Sequence, residues 1–425
     1  IIGTSDYRSI KVPVVHDEDR LRHIYVVGKT GTGKSKFLNS LMIDDLKQGR
    51  GIVIDPHGDL IEEIIAHVPR SRMKDVIIFD PTDEQFPFCF NPLDVKSTES
   101  KQILAKFIDI FKKFFSNWNA KLEHVLRMIF LALLDKPNST LFDIIRALTD
   151  KDFRYDMIEA VEDDVVRNFW TNEFAGWSQQ FNTEAIMPIL NKVGQLLSVD
   201  ILKNIFSSHE NKLDFREMMD ESKILLVKLP KKLQEEIMFL GAMFVTKIYQ
   251  AAMGRQSVPK ADRTPFFLYV DEFQNFATET FNEILSEARK YGLSLAVAHQ
   301  FIRQIPANIS DALFGNVTLI SFRVSSEDAT FMAKHFDPFL DGYDLSNLNQ
   351  REFYCKLLVK GAVKDPFSVR SVWVPDADIP HDYLAELYDQ SRKTYARPLL
   401  EAKKIVEEEQ KDIVEKLDSF AEPLI

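Results

Sequence analysis

Residues 24–35 read Ile24-Tyr25-Val26-Val27-Gly28-Lys29-Thr30-Gly31-Thr32-Gly33-Lys34-Ser35. An apolar run the length of a short buried strand passes into three glycines within six positions. From Lys34 the pattern becomes helical. Glycine lets the backbone fold so that successive N–H groups point at one anion, and the start of the helix adds its positive dipole end. Strand, loop and helix in this order, closed by Lys-Ser, make a complete phosphate-binding loop and not merely a glycine-rich turn. The spacing assigns Lys34 to the β- and γ-phosphates of a nucleoside triphosphate and the Ser35 hydroxyl to Mg²⁺. The wider nucleotide-binding set is Gly28, Lys29, Thr30, Gly31, Thr32, Gly33, Lys34, Ser35 and Lys36. ATP and Mg²⁺ are the expected ligands.

Outward from the loop, short apolar runs alternate with helical patterns. Strands are expected at Ile24–Val27, Ile52–Ile54 and Val76–Phe79, with helices at Lys34–Lys47 and Leu60–His67, a rhythm that argues for a parallel sheet flanked by helices. From about Thr98 the rhythm changes. Ile103, Phe107, Ile110, Phe111 and Phe114 recur at helical spacing, as do Leu122, Val125, Ile129 and Leu133. Asn138-Ser139 reads as the cap of the next helix. No strand is expected between Thr98 and Met219, so this block is all-helical. Its aromatics (Phe114, Phe115, Trp118, Phe169, Trp170, Trp177, Phe181) suit a helical core more readily than a base-stacking surface. The α/β rhythm returns at Lys223–Lys228, a long amphipathic helix runs to Met253, and Gly254–Thr264 reads as a polar loop. Strands are expected at Phe266–Val270, Leu293–Ala298, Val317–Phe322, Phe353–Val359 and Val369–Val374. The resulting parts are 1–97 and 220–380 for the α/β domain, 98–219 for the helical insertion, and 381–425 for a charged helix or solvated tail.

The strand Phe266–Val270 ends in Asp271-Glu272. A phosphate-binding loop needs such a partner: Asp271 orients Mg²⁺, and Glu272 polarises the attacking water. The strand Leu293–Ala298 ends in His299-Gln300, and the Gln300 amide, which both donates and accepts, suits a γ-phosphate sensor. Arg289 reads equally well as a surface charge or as an arginine finger for a neighbouring subunit; Arg323 is the alternative finger. Asp55-Pro56-His57-Gly58-Asp59 reads as a tight turn opening a capped helix more readily than as a metal site.

Composition bounds the rest. The 425 residues suffice for two or three domains, and 45% apolar with 28% charged residues fits a globular chain. A net charge of −11 requires any basic contact with nucleic acid to be local, as inside a pore. Cys89 and Cys355 lie too far apart in sequence to read as a disulfide framework, and no Cys/His cluster has zinc-ligand spacing. No apolar stretch reads as long enough to span a bilayer; Met128–Leu134 is the best and is short. The chain starts with Ile1 and not Met, which leaves an upstream membrane anchor open.

Together these pieces resemble the type IV coupling proteins, the conjugative DNA-transfer ATPases of type IV secretion systems, within the HerA/FtsK superfamily of ring-forming pumps. The carriers are Gly28–Ser35, the 55–59 turn, Asn91-Pro92-Leu93-Asp94, the helical insertion, Asp271-Glu272-Phe273, Ala288-Arg289-Lys290-Tyr291-Gly292 and Ala298-His299-Gln300. The resemblance implies a RecA-like P-loop NTPase fold, with a central, mostly parallel sheet flanked by helices and an inserted all-α domain that engages DNA or substrate. It implies a hexameric ring with ATP between subunits, Lys34, Glu272, Gln300 and Arg289 as catalytic residues, Arg289 acting in trans, and Ser35 and Asp271 at the metal. It implies DNA, secretion-system and relaxosome proteins as partners, and a cytoplasmic location at the inner face of the membrane, attached only through a segment outside this chain. Lys228, Lys231 and Lys232 read equally well as DNA grips or as helix surface charge. The rival readings are a secretion-assembly ATPase acting on protein and a nucleotide-gated docking platform.

Overall fold

A computed structural model describes residues 2–420 other than 7–8, 13–16, 57, 95–99, 116, 178, 230–233, 316, 376 and 378. The described strands, in chain order, are β1 (Gly3–Ser5), β2 (Lys11–Val12), β3 (Ile24–Val27), β4 (Gly51–Asp55), β5 (Val76–Phe79), β6 (Ile224–Lys228), β7 (Phe266–Val270), β8 (Leu293–His299), β9 (Thr318–Ser321), β10 (Glu352–Lys356), β11 (Leu358–Val359), β12 (Ala362–Val363) and β13 (Phe367–Ser371). Eleven make one sheet in the order β2-β1-β13-β10-β9-β3-β8-β7-β4-β6-β5, and β11 pairs with β12 alone. From β9 to β5 every neighbouring pair is parallel. From β2 to β9 every pair is antiparallel. The expected α/β class, a mostly parallel central sheet flanked by helices, is what the chain adopts.

The sequence explains the two kinds of pairing. β3, β4, β7 and β8 are buried at every position, as parallel strands covered on both faces must be; β3 and β7 are continuous apolar runs, and β4 and β8 are interrupted only by the polar Asp55, Ser294 and His299. One face, with Val26, Val53, Ile78 and Leu226, packs under the helices Lys34–Leu46 and Asp59–Ile65. On the other, Phe79 meets Phe244 of the helix Gln234–Met253 edge-on at 4.7 Å. β10 instead alternates, with Phe353 and Cys355 buried and their neighbours half-exposed, the period of a strand with one covered face.

The chain divides into two compact units. The α/β unit takes Ile1–Asp80 and Phe215–Ser391; the helical unit takes Pro81–Asp214 and Arg392–Ile425. Among the described residues, the helical unit has no strand, and its core includes Phe107, Phe111 and Phe130, whose rings lie 5.3–5.4 Å apart across two helices. Asn119 and Asp150 cap the starts of Ala120–Asp135 and Lys151–Ala160 with their side chains. Phe169 and Trp170 are buried against each other, so they serve the core. The Phe181 side chain lies outside the described residues.

Several expectations are corrected. Asn138-Ser139 does not cap a helix: the Ser139 hydroxyl donates to the Lys136 carbonyl, and the next helix begins at Asp143, whose carboxylate accepts the Thr140 N–H. Short polar side chains have this local alternative wherever they stand. The strand expected at 353–359 breaks in two at Leu357: Glu352–Lys356 pairs with β9 and β13, whereas Leu358–Val359 pairs with Ala362–Val363 across a turn at Lys360 and Gly361, both left-handed. The strand expected at 369–374 runs Phe367–Ser371; its pairing with β10 ends at Arg370 and its pairing with β1 at Ser371. The polar loop 254–264 contains Arg255, buried and paired with Asp220 at 3.0 Å. The charged tail is not wholly solvated: Ala402, Val406 and Glu409 of the helix Leu399–Phe420 are buried, and Glu409 pairs with Arg146 at 3.0 Å. Finally, Glu235–Ser257 is long and apolar enough to cross a membrane, yet 72% of its apolar window is buried inside the protein, as in a core helix.

Candidate functional site

β3 ends at Val27, and the chain turns directly into the glycine-rich loop on the carboxyl edge of the parallel strands. The loop is tied to its neighbours by backbone. Gly28 N–H donates to the His299 carbonyl (3.4 Å) and Lys29 N–H to the Arg323 carbonyl (2.8 Å). A Cβ on Gly28 would stand 2.6 Å from Cβ of Phe322, so no larger residue fits there. Gly31, at φ +77°, is left-handed, and a Cβ on it would meet nothing within 4 Å. The crest of the loop is thus an open cradle. Lys34 is buried and donates from Nζ to the Gly28 carbonyl (2.6 Å) and the Lys29 carbonyl (3.1 Å). Burial pushes its ammonium below the usual range, opposed by Asp271 and Glu272. Lys36 pairs with Glu63 at 3.0 Å.

β7 is separated from β3 by β8 alone, so three strand tips stand side by side. The Ser35 hydroxyl lies 3.5 Å from Asp271 Oδ2. Asp271 also accepts the Glu272 N–H at Oδ1 (2.9 Å), and Glu272 is left-handed at φ 45°. An L-residue rarely adopts that conformation. Gln274 donates to one Glu272 oxygen (2.7 Å), Gln300 donates to the other (2.8 Å), and the Thr30 hydroxyl donates to Gln300 Oε1 (2.9 Å). The loop, the tip of β8 and the carboxylate after β7 therefore form one hydrogen-bonded chain.

Charge is concentrated here. Asp271 is 6% exposed, and its carboxyl is pushed up to about 7 by burial first, then by Glu272 and Asp55. Asp55 ends β4 and accepts the Leu60 and Ile61 N–H groups at 2.9 and 3.3 Å, capping the helix that follows. The 55–59 segment is thus the expected turn with a capped helix; His57 lies outside the described residues. Among the described residues no group of three or more His, Cys, Asp or Glu is arranged to hold a metal alone. One serine hydroxyl and one carboxylate suit Mg²⁺, which takes few protein ligands and completes its shell with water and phosphate oxygens. The donor set fits a triphosphate with Mg²⁺.

His299 supports the site from behind. It is fully buried, stacks on Tyr25 at 5.3 Å, and is pushed down to about 3, mainly by burial, so its ring is neutral. Arg289 stands elsewhere. It is exposed and precedes β8, at the amino edge of the sheet, a seven-residue strand or about 20 Å from the loop. It cannot serve the site of its own chain. Arg323 follows β9 on the loop's own edge and is exposed. Lys228 pairs with Glu62 at 2.8 Å and Asp80 at 3.6 Å; Lys231 and Lys232 lie outside the described residues. Sequence reading missed Gln274 and Arg351. The Arg351 N–H donates to the Thr32 carbonyl at 2.8 Å, from a residue far along the chain. A Gln two residues after Glu272 was the signal available for Gln274; Arg351 had none.

A family model described as the type IV secretion-system coupling protein DNA-binding domain matches residues 7–327. The chain belongs to this family. Among curated relatives of the family, the type 4 coupling protein DotL of Legionella pneumophila subsp. pneumophila is 23% identical over 382 residues, 74% of this chain. The chain spans 48%, about half, of that relative's length. Among solved structures, the plasmid coupling protein TrwB in complex with ADP and Mg²⁺ aligns with TM-score 0.63 at 16% identity, covering 86% of this chain and 88% of TrwB. VirB4 of Thermoanaerobacter pseudethanolicus aligns with TM-score 0.57 at 14% identity, covering 88% and 96%. The coupling-protein fold, a P-loop NTPase sheet with a helical domain, is common to them.

Proposed function

We infer that the chain is the ATP-hydrolysing part of a type IV secretion coupling protein, acting on DNA or nucleoprotein as a ring of identical subunits. One observation carries the reading. Ser35 and Asp271, read as the metal pair, lie 3.5 Å apart at the edge where β3, β8 and β7 end, and Gln300 joins Glu272, read as the water-activating carboxylate, to the loop. TrwB, which shares the fold, was solved with ADP and Mg²⁺. The family description, a DNA-binding domain, supports DNA as the cargo. The partners are then the components of the secretion apparatus and the nucleoprotein it exports.

Each residue has a defined task. The Gly28–Ser35 backbone N–H groups cradle the phosphates, and the Lys34 ammonium leaves its loop carbonyls for the β- and γ-oxygens. Ser35 and Asp271, 3.5 Å apart, would hold Mg²⁺. Mg²⁺, when bound, neutralises the charge that grows on the phosphate oxygens. Glu272 accepts the proton of the attacking water; the amides of Gln274 and Gln300 hold its carboxylate in place. Arg289, remote from its own loop, supplies positive charge to the neighbour's site, so the ring shares each centre.

The test is the ATPase rate with and without single- or double-stranded DNA across a protein concentration series. DNA should raise the rate, and the rate per subunit should climb with concentration. Lys34→Ala should abolish hydrolysis; a variant as active as the parent overturns the site. No stimulation by either DNA in an assembled ring removes DNA as cargo and leaves a protein substrate.

A further inference from the structure

The antiparallel wing of the sheet carries a cavity of about 740 Å³ that the catalytic groups do not use. That size is ordinary for a small-molecule site. It lies along the helix that starts at the phosphate loop, lined by Ser40 and Ile43 of that helix and by Arg351, Arg370, Trp373 and Val374. The topology explains why two of its lining residues, Arg351 and Trp373, come to the loop's edge of the sheet. β9 runs parallel to β3, β10 runs against β9, and β13 runs against β10. The residue entering β10, Arg351, and the segment leaving β13, with Trp373, therefore reach the same edge as the loop.

Arg351 is fastened there. Its N–H holds the Thr32 carbonyl at 2.8 Å, and its Cα would lie 3.4 Å from a Cβ on Gly33. It keeps a left-handed backbone at φ 70°, which a bulky residue adopts only where its surroundings force it. Its guanidinium donates to the Ser371 carbonyl at 3.2 Å and lies 4.8 Å from the Trp373 ring centre. Lys36, one residue past Ser35, brings its ammonium within 6.0 Å of the same ring. Trp373 is nevertheless 54% exposed. An indole left open in the wall of a cavity, against the Arg351 whose backbone holds the phosphate-binding loop, is a stacking platform for a flat heterocycle. Ile43 and Val374 offer a base apolar surface and Arg370 is already paired with Glu352 at 2.7 Å, while Lys11, Asp44, Lys47 and His67 also line the cavity.

We propose that this cavity receives the base of the nucleotide whose phosphates the Gly28–Ser35 loop holds, with Trp373 as the stacking residue and Arg351 as the residue that fixes the ring beside the loop. The proposal rests on the nucleotide reading above. It places base recognition in residues beyond the 7–327 span of the family model.

Equilibrium binding separates the two readings. ATP and inorganic tripolyphosphate are titrated into the parent chain, Trp373→Ala, Trp373→Phe and Lys34→Ala, with tryptophan fluorescence and calorimetry as readouts. Loss of one base–aromatic stack weakens binding by about tenfold or more. Trp373→Ala should lose that factor for ATP and nothing for tripolyphosphate, Trp373→Phe should retain most of the ATP affinity, and Lys34→Ala should lose both ligands. Unchanged ATP affinity in Trp373→Ala overturns the base site while leaving the phosphate loop intact. Equal loss of both ligands in Trp373→Ala also overturns it, since the ring would then be serving the loop. A parent chain that binds neither ligand overturns both readings. If Trp373→Ala loses an oligonucleotide but not ATP, the ring belongs to the cargo and the proposal fails.

Discussion

The two halves of one sheet make their sites in opposite ways. In the parallel half every strand ends at the same edge, so each delivers one group by its final residues: the loop after β3, Gln300 after β8, Asp271 and Glu272 after β7. In the antiparallel wing that edge receives one strand's start and another strand's end, Arg351 before β10 and Trp373 after β13. The parallel tips are crowded, buried and charged, and they suit bond cleavage. The wing is open and half-apolar, and it suits recognition. If the division is right, damage to the parallel tips should strike turnover and damage to the wing should strike affinity.

The strongest test is Glu272→Gln. Removing the proton acceptor while keeping its shape should cut kcat by about a thousandfold and leave ATP affinity within about twofold. A collapse of affinity would erase the distinction between the halves. Gln300→Ala should be milder. It frees Glu272 from the loop without removing it, so kcat should fall by about ten- to a hundredfold in single-turnover measurements, with KM little changed. The smallest effect concerns stability. The Asp271 carboxyl is protonated in folded and unfolded chains below its ordinary value of 3.8; between there and about 7 only the folded chain keeps the proton. Stability is therefore lost as pH rises through that window. Without divalent ions, Asp271→Asn should melt about 5 °C higher than the parent near pH 8, and the gain should vanish near pH 4. A gain independent of pH would mean that charge is not what strains this tip.

The parallel half was also the legible half. β3, β5 and β7 begin and end at the residues the sequence predicts, because a strand buried on both faces is written as an unbroken apolar run. The loop and Asp271-Glu272 were legible because each is local to the end of such a run. The wing was not. β1 and β2 hold three and two residues, one of them Gly-Thr-Ser, and exist only because β13 pairs with β1 and β1 with β2. Arg351 and Trp373 acquire their places through pairings made across the sheet, which no window of sequence contains. The helical unit shows the same limit. Its apolar stripes were readable, but the burial of Glu409 depends on Arg146, which lies far away in the chain.

The run of hydrogen bonds from Thr30 through Gln300 to Glu272 puts the hand that grips and the blade that cuts on a single string. A tug at either end is felt at the other without any rearrangement of the strands between. If Glu272 acts as proposed, seizing the triphosphate tail cocks the trigger, and a loop pulled out of shape disarms it.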